Sequence, residues 1–186
     1  MKTKIFLTTL LLSLSTITLQ AKESFSIETD PATFAFDGYA LHLKKSFEEV
    51  PHMEFGIGVY AMDFPDAFVD MHSKNKDKGW DVRLNQGIGL FVDSYQQADL
   101  SGWFIGGQLA LQEYELTLNG SKEKYDSMML MGYGGYKFLL GEHTYAKLWG
   151  GVGYSNKVSG SNVVNQTTYD VPNLIPFGAL HVGYTF

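Results

Sequence analysis

The segment Ala179-Leu180-His181-Val182-Gly183-Tyr184-Thr185-Phe186, which ends the chain, decides the fold. Apolar and aromatic side chains stand at Leu180, Val182, Tyr184 and Phe186, and small or polar side chains stand between them. A repeat of two residues is the pattern of a β-strand with two different faces. In a membrane β-barrel, the apolar face contacts lipid and the other face lines the interior. The segment therefore predicts the last strand of a membrane barrel.

The same residues resemble the C-terminal signature of bacterial outer-membrane proteins, in which a terminal Phe follows apolar residues at alternate positions. The resemblance implies that the barrel assembly machinery recognises Leu180, Val182, Tyr184 and Phe186 during biogenesis. It also implies an outer-membrane location in a Gram-negative bacterium.

The first 21 residues have the layout of a secretory signal peptide. Lys2 and Lys4 precede an apolar stretch, and the segment becomes polar before it reaches Ala21. Such a stretch is too short for a spanning helix. We therefore predict that residues 1–21 are cleaved and that residues 22–186 form one outer-membrane β-barrel domain. An uncleaved N-terminal membrane anchor is the alternative.

Period-two alternation recurs upstream of the last strand and predicts seven more strands. The first, 23–29, is short, and an even strand number in bacterial single-chain barrels supports it. Asp30 and Pro31 are typical of a helix start, and Gly38 is placed as a C-cap, so residues 31–37 are predicted to form a short helix. The alternative is that the second strand runs straight through 33–45. The other predicted strands are 38–47, 53–63, 80–93, 100–116, 125–140 and 144–155.

Together these elements predict an all-β fold, an eight-stranded antiparallel up-and-down meander that crosses the membrane. With both chain ends in the periplasm, the outward connections are 30–37, 64–79, 117–124 and 156–173. These are longer than the inward connections 48–52, 94–99 and 141–143, as expected of outer-membrane barrels. A soluble lipocalin-like barrel would also have eight strands, but it would not explain an apolar outer face.

Composition excludes several classes of function. The chain has no cysteine, so it has no lipoprotein anchor, disulfide or thiolate metal site. Of its 14 basic residues, Lys2 and Lys4 leave with the signal peptide, so 12 basic and 20 acidic residues give the mature chain a formal charge of −8. An acidic chain is a poor candidate for nucleic-acid binding.

Alternation also predicts which side chains point into the barrel. An eight-stranded barrel is just wide enough inside for side chains, so the inward charges should pair with one another. We expect a luminal polar network that includes Lys44, Glu54, Arg83, Lys137, Lys147 and His181. A narrow ion path is the alternative. The full inward set is His42, Lys44, Glu54, Asp81, Arg83, Asn85, Asp93, Gln108, Gln112, Lys137, Lys147 and His181.

No catalytic motif stands out, and we expect neither a metal nor a cofactor. His42, Asp63 and His72 are the candidate catalytic residues, because His beside Asp can perform acid–base chemistry. A candidate metal cluster lies near the start of the connection 64–79, against the alternative of a solvated polar loop. It consists of Asp63, Asp66, Asp70 and His72. The segment from His72 to Asn75 is similar to a motif of outer-membrane lipid A deacylases, but Ser73 follows His72 directly, so the spacing differs and no roles are transferred.

Two further stretches, Glu28 to His42 and Gly58 to Pro65, are similar to an uncharacterised family of proteobacterial outer-membrane β-barrel proteins. The layout also resembles the small barrels of the OmpA and OmpX type, although a fold does not by itself imply a function. We expect a non-enzymatic structural or surface-binding barrel with a closed lumen, monomeric, in contact with outer-membrane lipid and lipopolysaccharide. The alternatives are a lipid-modifying hydrolase and a narrow small-solute channel.

Overall fold

A computed structural model describes residues 23–186 of the chain, and the predicted signal peptide lies outside the described residues. Eight strands form a closed antiparallel barrel in which each strand pairs with its neighbours along the chain. The last barrel strand, Leu174–Thr185, pairs with the first, Ser24–Thr29, and so closes the ring, with Ile27 opposite Tyr184. The predicted all-β meander of eight strands is therefore confirmed. Within residues 23–186, no helix is long and apolar enough to cross a membrane.

The strand bounds are as follows. The barrel strands are β1 (Ser24–Thr29), β2 (Tyr39–Ser46), β3 (Met53–Asp63), β4 (Asp81–Tyr95), β5 (Gly102–Leu118), β6 (Ser121–Leu139), β7 (Thr144–Gly160) and β10 (Leu174–Thr185). Two-residue strands β8 (Val163–Val164) and β9 (Thr167–Thr168) pair with each other in the connection between β7 and β10. We call the end of the barrel that carries this connection the extracellular end, following the predicted orientation, and the other end the periplasmic end.

The connection between β1 and β2 contains the predicted short helix, as a 3₁₀ helix over Pro31–Phe36. Asp30 caps it, because the Asp30 side chain accepts a hydrogen bond of 2.9 Å from the Ala32 backbone N–H. The left-handed residue after the helix is Asp37, with φ of 47°, and not Gly38 as predicted. A Cβ at Gly38 would lie 2.1 Å from the Ala61 carbonyl oxygen, so this glycine is required by the close approach of β3. Strand β2 begins only at Tyr39, so it does not run through 33–45.

Strands β5 and β6 extend further than predicted. Only Asn119 and Gly120 connect them, both with positive φ, as in a two-residue type I′ hairpin. The predicted loop 117–124 is therefore wrong. Its residues are polar because their outer face lies in water beyond the lipid, while Leu116, Leu118 and Tyr125 on the inner face are buried.

One irregularity in β4 reverses part of the predicted facing. Leu84 pairs with Tyr114 and Gln86 pairs with Glu113, so Asn85 is an extra residue in a β-bulge. Ile88, Leu90 and Val92 lie on the outer face as predicted, but Val82 and Leu84 are buried inside. Asp81 and Arg83 lie on the outer face, and Asn85 is the bulged residue, so their predicted inward facing is wrong.

The outer surface carries a belt of exposed apolar side chains, including Ile57, Leu90, Leu109, Leu130 and Leu180. Exposed aromatic residues mark the periplasmic edge of this belt, as in the aromatic girdles of membrane barrels. They include Phe25, Phe47, Phe55, Trp103, Phe138, Tyr184 and Phe186. The predicted assembly residues Leu180, Val182, Tyr184 and Phe186 are all exposed on this surface.

Candidate functional site

The periplasmic half of the lumen holds a cluster of buried charged and imidazole side chains. Seven of the eight barrel strands contribute to it, because inward positions of neighbouring strands meet at the same height. We call it the luminal cluster, and it consists of Glu28, His42, Lys44, Glu54, Asp93, Lys137, Lys147 and His181.

Asp93 lies at the centre of the luminal cluster and has no exposed surface. It accepts hydrogen bonds from Lys44 Nζ at 2.6 Å and from Lys147 Nζ at 2.7 Å. The Tyr133 hydroxyl donates a third bond at 2.7 Å. Two ammonium groups thus share one carboxylate, and such an arrangement requires further carboxylates nearby.

Glu28 and Glu54 supply those carboxylates. Glu28 lies 2.9 Å from Lys44 Nζ and 3.9 Å from Lys147 Nζ, and it accepts a bond of 3.1 Å from the Tyr145 hydroxyl. Glu54 lies 3.7 Å from Lys137 Nζ and accepts a bond of 2.9 Å from the Tyr95 hydroxyl. The cluster therefore contains three carboxylates and three ammonium groups.

Both histidines of the cluster face Glu28. His181 Nδ1 lies 3.1 Å from Glu28 Oε1, and Trp149 Nε1 donates to His181 Nε2 at 3.2 Å. Because an indole N–H can only donate, His181 Nε2 carries a lone pair and the ring is neutral. His42 Nδ1 lies 3.4 Å from the same carboxylate oxygen. With neutral histidines, the charges of the luminal cluster balance.

Inward-facing glycines make room for the large side chains of the cluster. A Cβ at Gly58 would lie 2.1 Å from the His42 ring, and one at Gly183 would lie 2.2 Å from the Tyr145 ring. In both cases the glycine stands beside the larger residue on the neighbouring strand. These glycines therefore belong to the construction of the site.

The predicted luminal residues have different outcomes. Lys44, Glu54, Lys137, Lys147 and His181 lie in the cluster. Arg83 does not, because the β4 bulge turns it to the outer face, where it pairs with Asp63. Sequence reasoning missed Glu28, although Ser24, Ser26 and Glu28 alternate with apolar residues in the first strand. The same period-two pattern used for the later strands would have placed Glu28 inside.

The three candidate catalytic residues lie in three separate places. His42 belongs to the luminal cluster, and Asp63 ends β3 in its surface pair with Arg83. His72 follows helix α1 (Asp66–Val69) and pairs with Asp170 at 2.7 Å. Each is therefore held by a different partner, and no shared acid–base site forms from them.

Glu28, His42 and His181 place their ligand atoms within 4.8 Å of one another, as a metal site would require. Their present partners do not fit a cation. Lys44 Nζ already lies 2.9 Å from Glu28 Oε1, and His181 Nε2 accepts from Trp149. A divalent ion here would face an ammonium group at close range, so the trio is better described as part of the ion-pair network.

Above the luminal cluster, the barrel contains a cavity of about 80 Å³. Its walls are largely apolar, with His42 and His181 at the end next to the cluster. Beyond the cavity, buried apolar residues fill the extracellular half of the barrel, among them Val82, Leu116 and Tyr125.

Two long connections close the extracellular end, and we call them together the cap (64–80 and 161–173). Asn75 is fully buried and joins them, because its side chain donates to the Asp170 carbonyl and accepts from the Asp170 N–H, each at 2.8 Å. The Trp80 and Tyr169 rings pack edge to face with centroids 5.4 Å apart. Burial beside Asp170 raises the pKa of the Tyr169 phenol to about 12.

Comparisons with known proteins give a likeness of fold and no match of sequence. No protein-family model matches the chain, and no curated protein matches it significantly. Among solved structures, Neisserial surface protein A (NspA) is similar, with a TM-score of 0.51 and 13% identity over 88% of this chain and 92% of that chain. A major outer membrane protein from Thermus thermophilus aligns with a TM-score of 0.47 and 14% identity, over 89% of this chain and all of the other.

At 13% identity, the likeness to NspA concerns the fold alone. The closed ring of eight strands, the apolar belt and the aromatic edge lead to the same conclusion from the chain's own residues. The predicted outer-membrane location agrees with all three features. This chain has the fold of an outer-membrane β-barrel of the small, NspA- and OmpA-like type.

Proposed function

We propose that this protein is a non-conducting structural barrel of the outer membrane, which presents its capped end at the cell surface. One observation carries the proposal: the periplasmic half of the lumen is filled by a charge-balanced cluster of side chains that pair with one another. A pore needs a continuous water-filled path, whereas Glu28, Lys44, Asp93 and Lys147 are all at most 3% exposed.

The separation of the candidate catalytic residues favours a structural role over the hydrolase alternative. His42 is buried in the cluster, while Asp63 and His72 each pair with a different residue near the extracellular end. The partners that fit a structural role are outer-membrane lipid and lipopolysaccharide around the belt, with the assembly machinery as a transient partner. Apolar side chains around the barrel suit a monomer surrounded by lipid.

Planar-bilayer conductance tests the proposal directly. The purified, refolded protein should give no steady open-channel current, because no ion can pass the luminal cluster without breaking buried ion pairs. A double variant that shortens two cluster side chains, Lys137→Ser with Tyr145→Ser, should admit water and give measurable current.

The control is Lys122→Ser with Lys124→Ser, which removes two surface lysines of the β6 strand and leaves the lumen unchanged. It should be as silent as the native protein. A stable current from the native protein would overturn the proposal. A change in the lipid A mass spectrum on deletion of the gene would also overturn it, if the native protein restored the original spectrum and the His42→Ala variant did not.

A further inference from the structure

The wall of the barrel has a gap beyond the end of its first strand. Strand β1 is the shortest barrel strand, and its last pair with β10 joins Thr29 and Val182. Strands β10 and β2 continue toward the extracellular end as segments 174–181 and 39–41, with no strand between them. We call the space between these two segments the lateral gap.

The backbone of β10 suits an edge without a partner strand. Thr185 N–H donates to the His143 carbonyl oxygen at 2.7 Å, and pairing with β7 is regular up to Leu174. Odd-numbered residues of β10 therefore bond to β7, and even-numbered residues direct their backbone groups to the other side. One of these is Pro176, which has no N–H to offer. Proline within a sheet is confined to such edges, so this segment is not adapted to receive another strand.

The lateral gap lies beside the apolar belt of the outer surface. Leu174 and Leu180 on β10, Val152 on β7 and Leu41 on β2 are all exposed on the outer face. With the barrel placed across the membrane, lipid chains therefore meet the gap from outside. Backbone groups at this depth have to be covered by protein, because lipid offers them no hydrogen bonds.

The 3₁₀ helix, Pro31–Phe36, covers the lateral gap, since it lies against β10, β2 and β3. Thr33 is its buried residue, while Phe34 and Phe36 are exposed. Among residues 23–186, the hydrogen bonds of this helix are formed within it or with Asp30 and Gly38. None of them ties the helix to β10, so the helix can move away from that strand without breaking a hydrogen bond to it.

The cavity lies directly behind the lateral gap. Thr33 of the helix, Ala40 of β2 and Ile175 of β10 all line it, so all three sides of the gap also form its wall. On the opposite side it is lined by Met129 and Met131, whose side chains adjust readily to the shape of a guest. One apolar space therefore adjoins both the lumen and the gap.

The polar side chains on the cavity wall already have partners. Gln108 and Gln112 bond to the Tyr60 hydroxyl at 2.9 and 3.2 Å, and the Tyr114 hydroxyl bonds to Gln112 at 3.1 Å. The Asp30 carboxylate accepts from the Ala32 N–H. A guest therefore needs no polar group, and a charged guest would lose its hydration without an ion pair in return.

From these observations we propose that the cavity binds the end of an acyl chain, which enters from the outer leaflet through the lateral gap when the 3₁₀ helix moves aside. A cavity of about 80 Å³ has room for about three to four carbon atoms, judged against an engineered cavity of about 150 Å³ that holds benzene. The rest of the chain would lie in the gap along β10.

Contact with the cavity walls favours this occupant. Lipid is as apolar as the cavity, so the chain end gains nothing from leaving water. The gain comes from the wall atoms, because an empty cavity leaves them without contacts on one side. The site goes beyond the structural role of the barrel, since it lies above the luminal cluster and leaves the ion pairs of the cluster in place.

Methyl NMR on the whole barrel tests the site. The protein would carry ¹³C at its methionine methyl groups in a deuterated background, in nanodiscs whose phospholipid carries ¹³C only at the terminal methyl carbons of its chains. Nuclear Overhauser cross-peaks should join these lipid methyl groups to Met129 and Met131, which are buried in the lumen. A second sample, with unlabelled phospholipid and terminally labelled lauric acid, shows whether a free fatty acid is the source of the chain.

Variants separate occupation of the cavity from ordinary contact with lipid. Ala40→Leu places a larger side chain in the cavity and should abolish the cross-peaks of Met129 and Met131. Leu41→Phe is the matched control, because it enlarges the next residue on the outer face of the same strand. Any cross-peak of Met128, which is exposed on the lipid face, should persist in both variants. The shift of gel mobility on heating verifies that each variant is folded.

The route of entry is tested by loosening each covering element in turn. Thr33→Ala removes the buried contact of the 3₁₀ helix and should speed exchange between the free and occupied signals of Met131 severalfold. Asn75→Ala loosens the cap instead and should leave this rate unchanged.

Three results would overturn the proposal. Absence of cross-peaks at Met129 and Met131 in both samples would leave a cavity that holds water alone. Cross-peaks that persist in Ala40→Leu would place the chain outside the cavity. Exchange that responds to Asn75→Ala and not to Thr33→Ala would replace the lateral route by one through the cap. Because conductance is not part of the readout, failure here would not affect the proposed closed barrel.

Discussion

At the scale of single residues, the luminal cluster shows both what a strand pattern predicts and what it misses. Period-two alternation places Lys44, Lys137 and Lys147 inside, because each lies on a regular strand segment whose other face is apolar. It cannot predict that Lys44 and Lys147 converge on Asp93, since this depends on the register between strands that are distant in sequence. The short first strand supplies Glu28, the second carboxylate that both lysines share.

Asp93→Asn should therefore strongly destabilise the barrel. The substitution keeps the shape of the side chain but leaves Lys44 and Lys147 with one shared carboxylate instead of two. Breaking a buried pair in this way costs about 3–5 kcal/mol, because the uncompensated charge stays out of water. Urea unfolding in lipid vesicles, followed by tryptophan fluorescence, measures the loss.

Asp63→Asn is the matched control, since Asp63 pairs with Arg83 at a surface where both side chains are more than a third exposed. Solvent screens such a pair, and its loss should cost less than about 1 kcal/mol. Equal effects of the two substitutions would mean that the luminal cluster contributes no more than an ordinary surface pair.

At the scale of the element, strand β4 explains why part of the facing could not be predicted. Val82, Leu84, Ile88, Leu90 and Val92 are all apolar and all even-numbered, so they are expected to share one face. Apolar side chains are suited both to lipid outside and to the filled extracellular half of the lumen inside. Apolarity therefore cannot reveal the point at which the bulge exchanges the two faces.

The barrel should tolerate deletion of Asn85, whereas deletion of one residue inside a strand usually reverses the facing of its neighbours. Asn85 is the extra residue of the bulge, so its removal gives a regular strand in which Leu84 stays inside and Ile88 stays outside. The lost features are the local twist of the bulge and one hydrogen bond of 3.1 Å to Glu113. The deleted protein should still migrate as a folded, heat-modifiable species on gels.

Deletion of Leu90 is the contrasting variant. It would move Ile88 to the inside and Gly87 to the outside, because a shift of one residue exchanges the faces up to the bulge. This protein should fail to fold. If the two deletions behave alike, the bulge does not determine the facing of β4.

The two connections of the cap are held together by the hydrogen bonds of Asn75. Asn75→Ala removes two hydrogen bonds to Asp170 and leaves buried backbone groups unpaired, a loss of about 1–3 kcal/mol. The cap should open more often, and trypsin added to intact cells should cleave faster at the lysines of the first connection. Ser73→Ala, an exposed neighbour in the same connection, should leave the cleavage rate unchanged. Slow cleavage in both variants would show that Asn75 does not hold the cap closed.

At the scale of the whole molecule, the outer face of the sheet meets lipid and the inner face meets the filled lumen. This difference explains why apolar side chains are exposed on the outside while charged side chains are buried inside. The sequence alone predicted the number of strands and their order, because every strand pairs with its neighbours and alternates regularly. It did not predict the length of β5 and β6, since their extracellular parts meet water on one side and the filled lumen on the other. Polar residues there, such as Glu113 and Lys124, are surface ion pairs of a strand and not signs of a loop.

A charge introduced into the belt should reveal where the lipid lies. Leu90 is 60% exposed and lies between Ile88 and Val92 on the outer face of β4, in the middle of that strand's apolar stretch. Leu90→Arg should cost about 2–4 kcal/mol, as expected for an arginine near the bilayer midplane. Asn156→Arg, on the outer face of β7 beyond Tyr154, should cost less than about 1 kcal/mol, because an arginine at the interface reaches water.

Urea unfolding in lipid vesicles measures both losses of unfolding free energy. In detergent micelles, which have no bilayer midplane, the two substitutions should cost the same. A belt that accepted both arginines equally in vesicles would not be buried in lipid, and the placement of the barrel across the membrane would have to be abandoned.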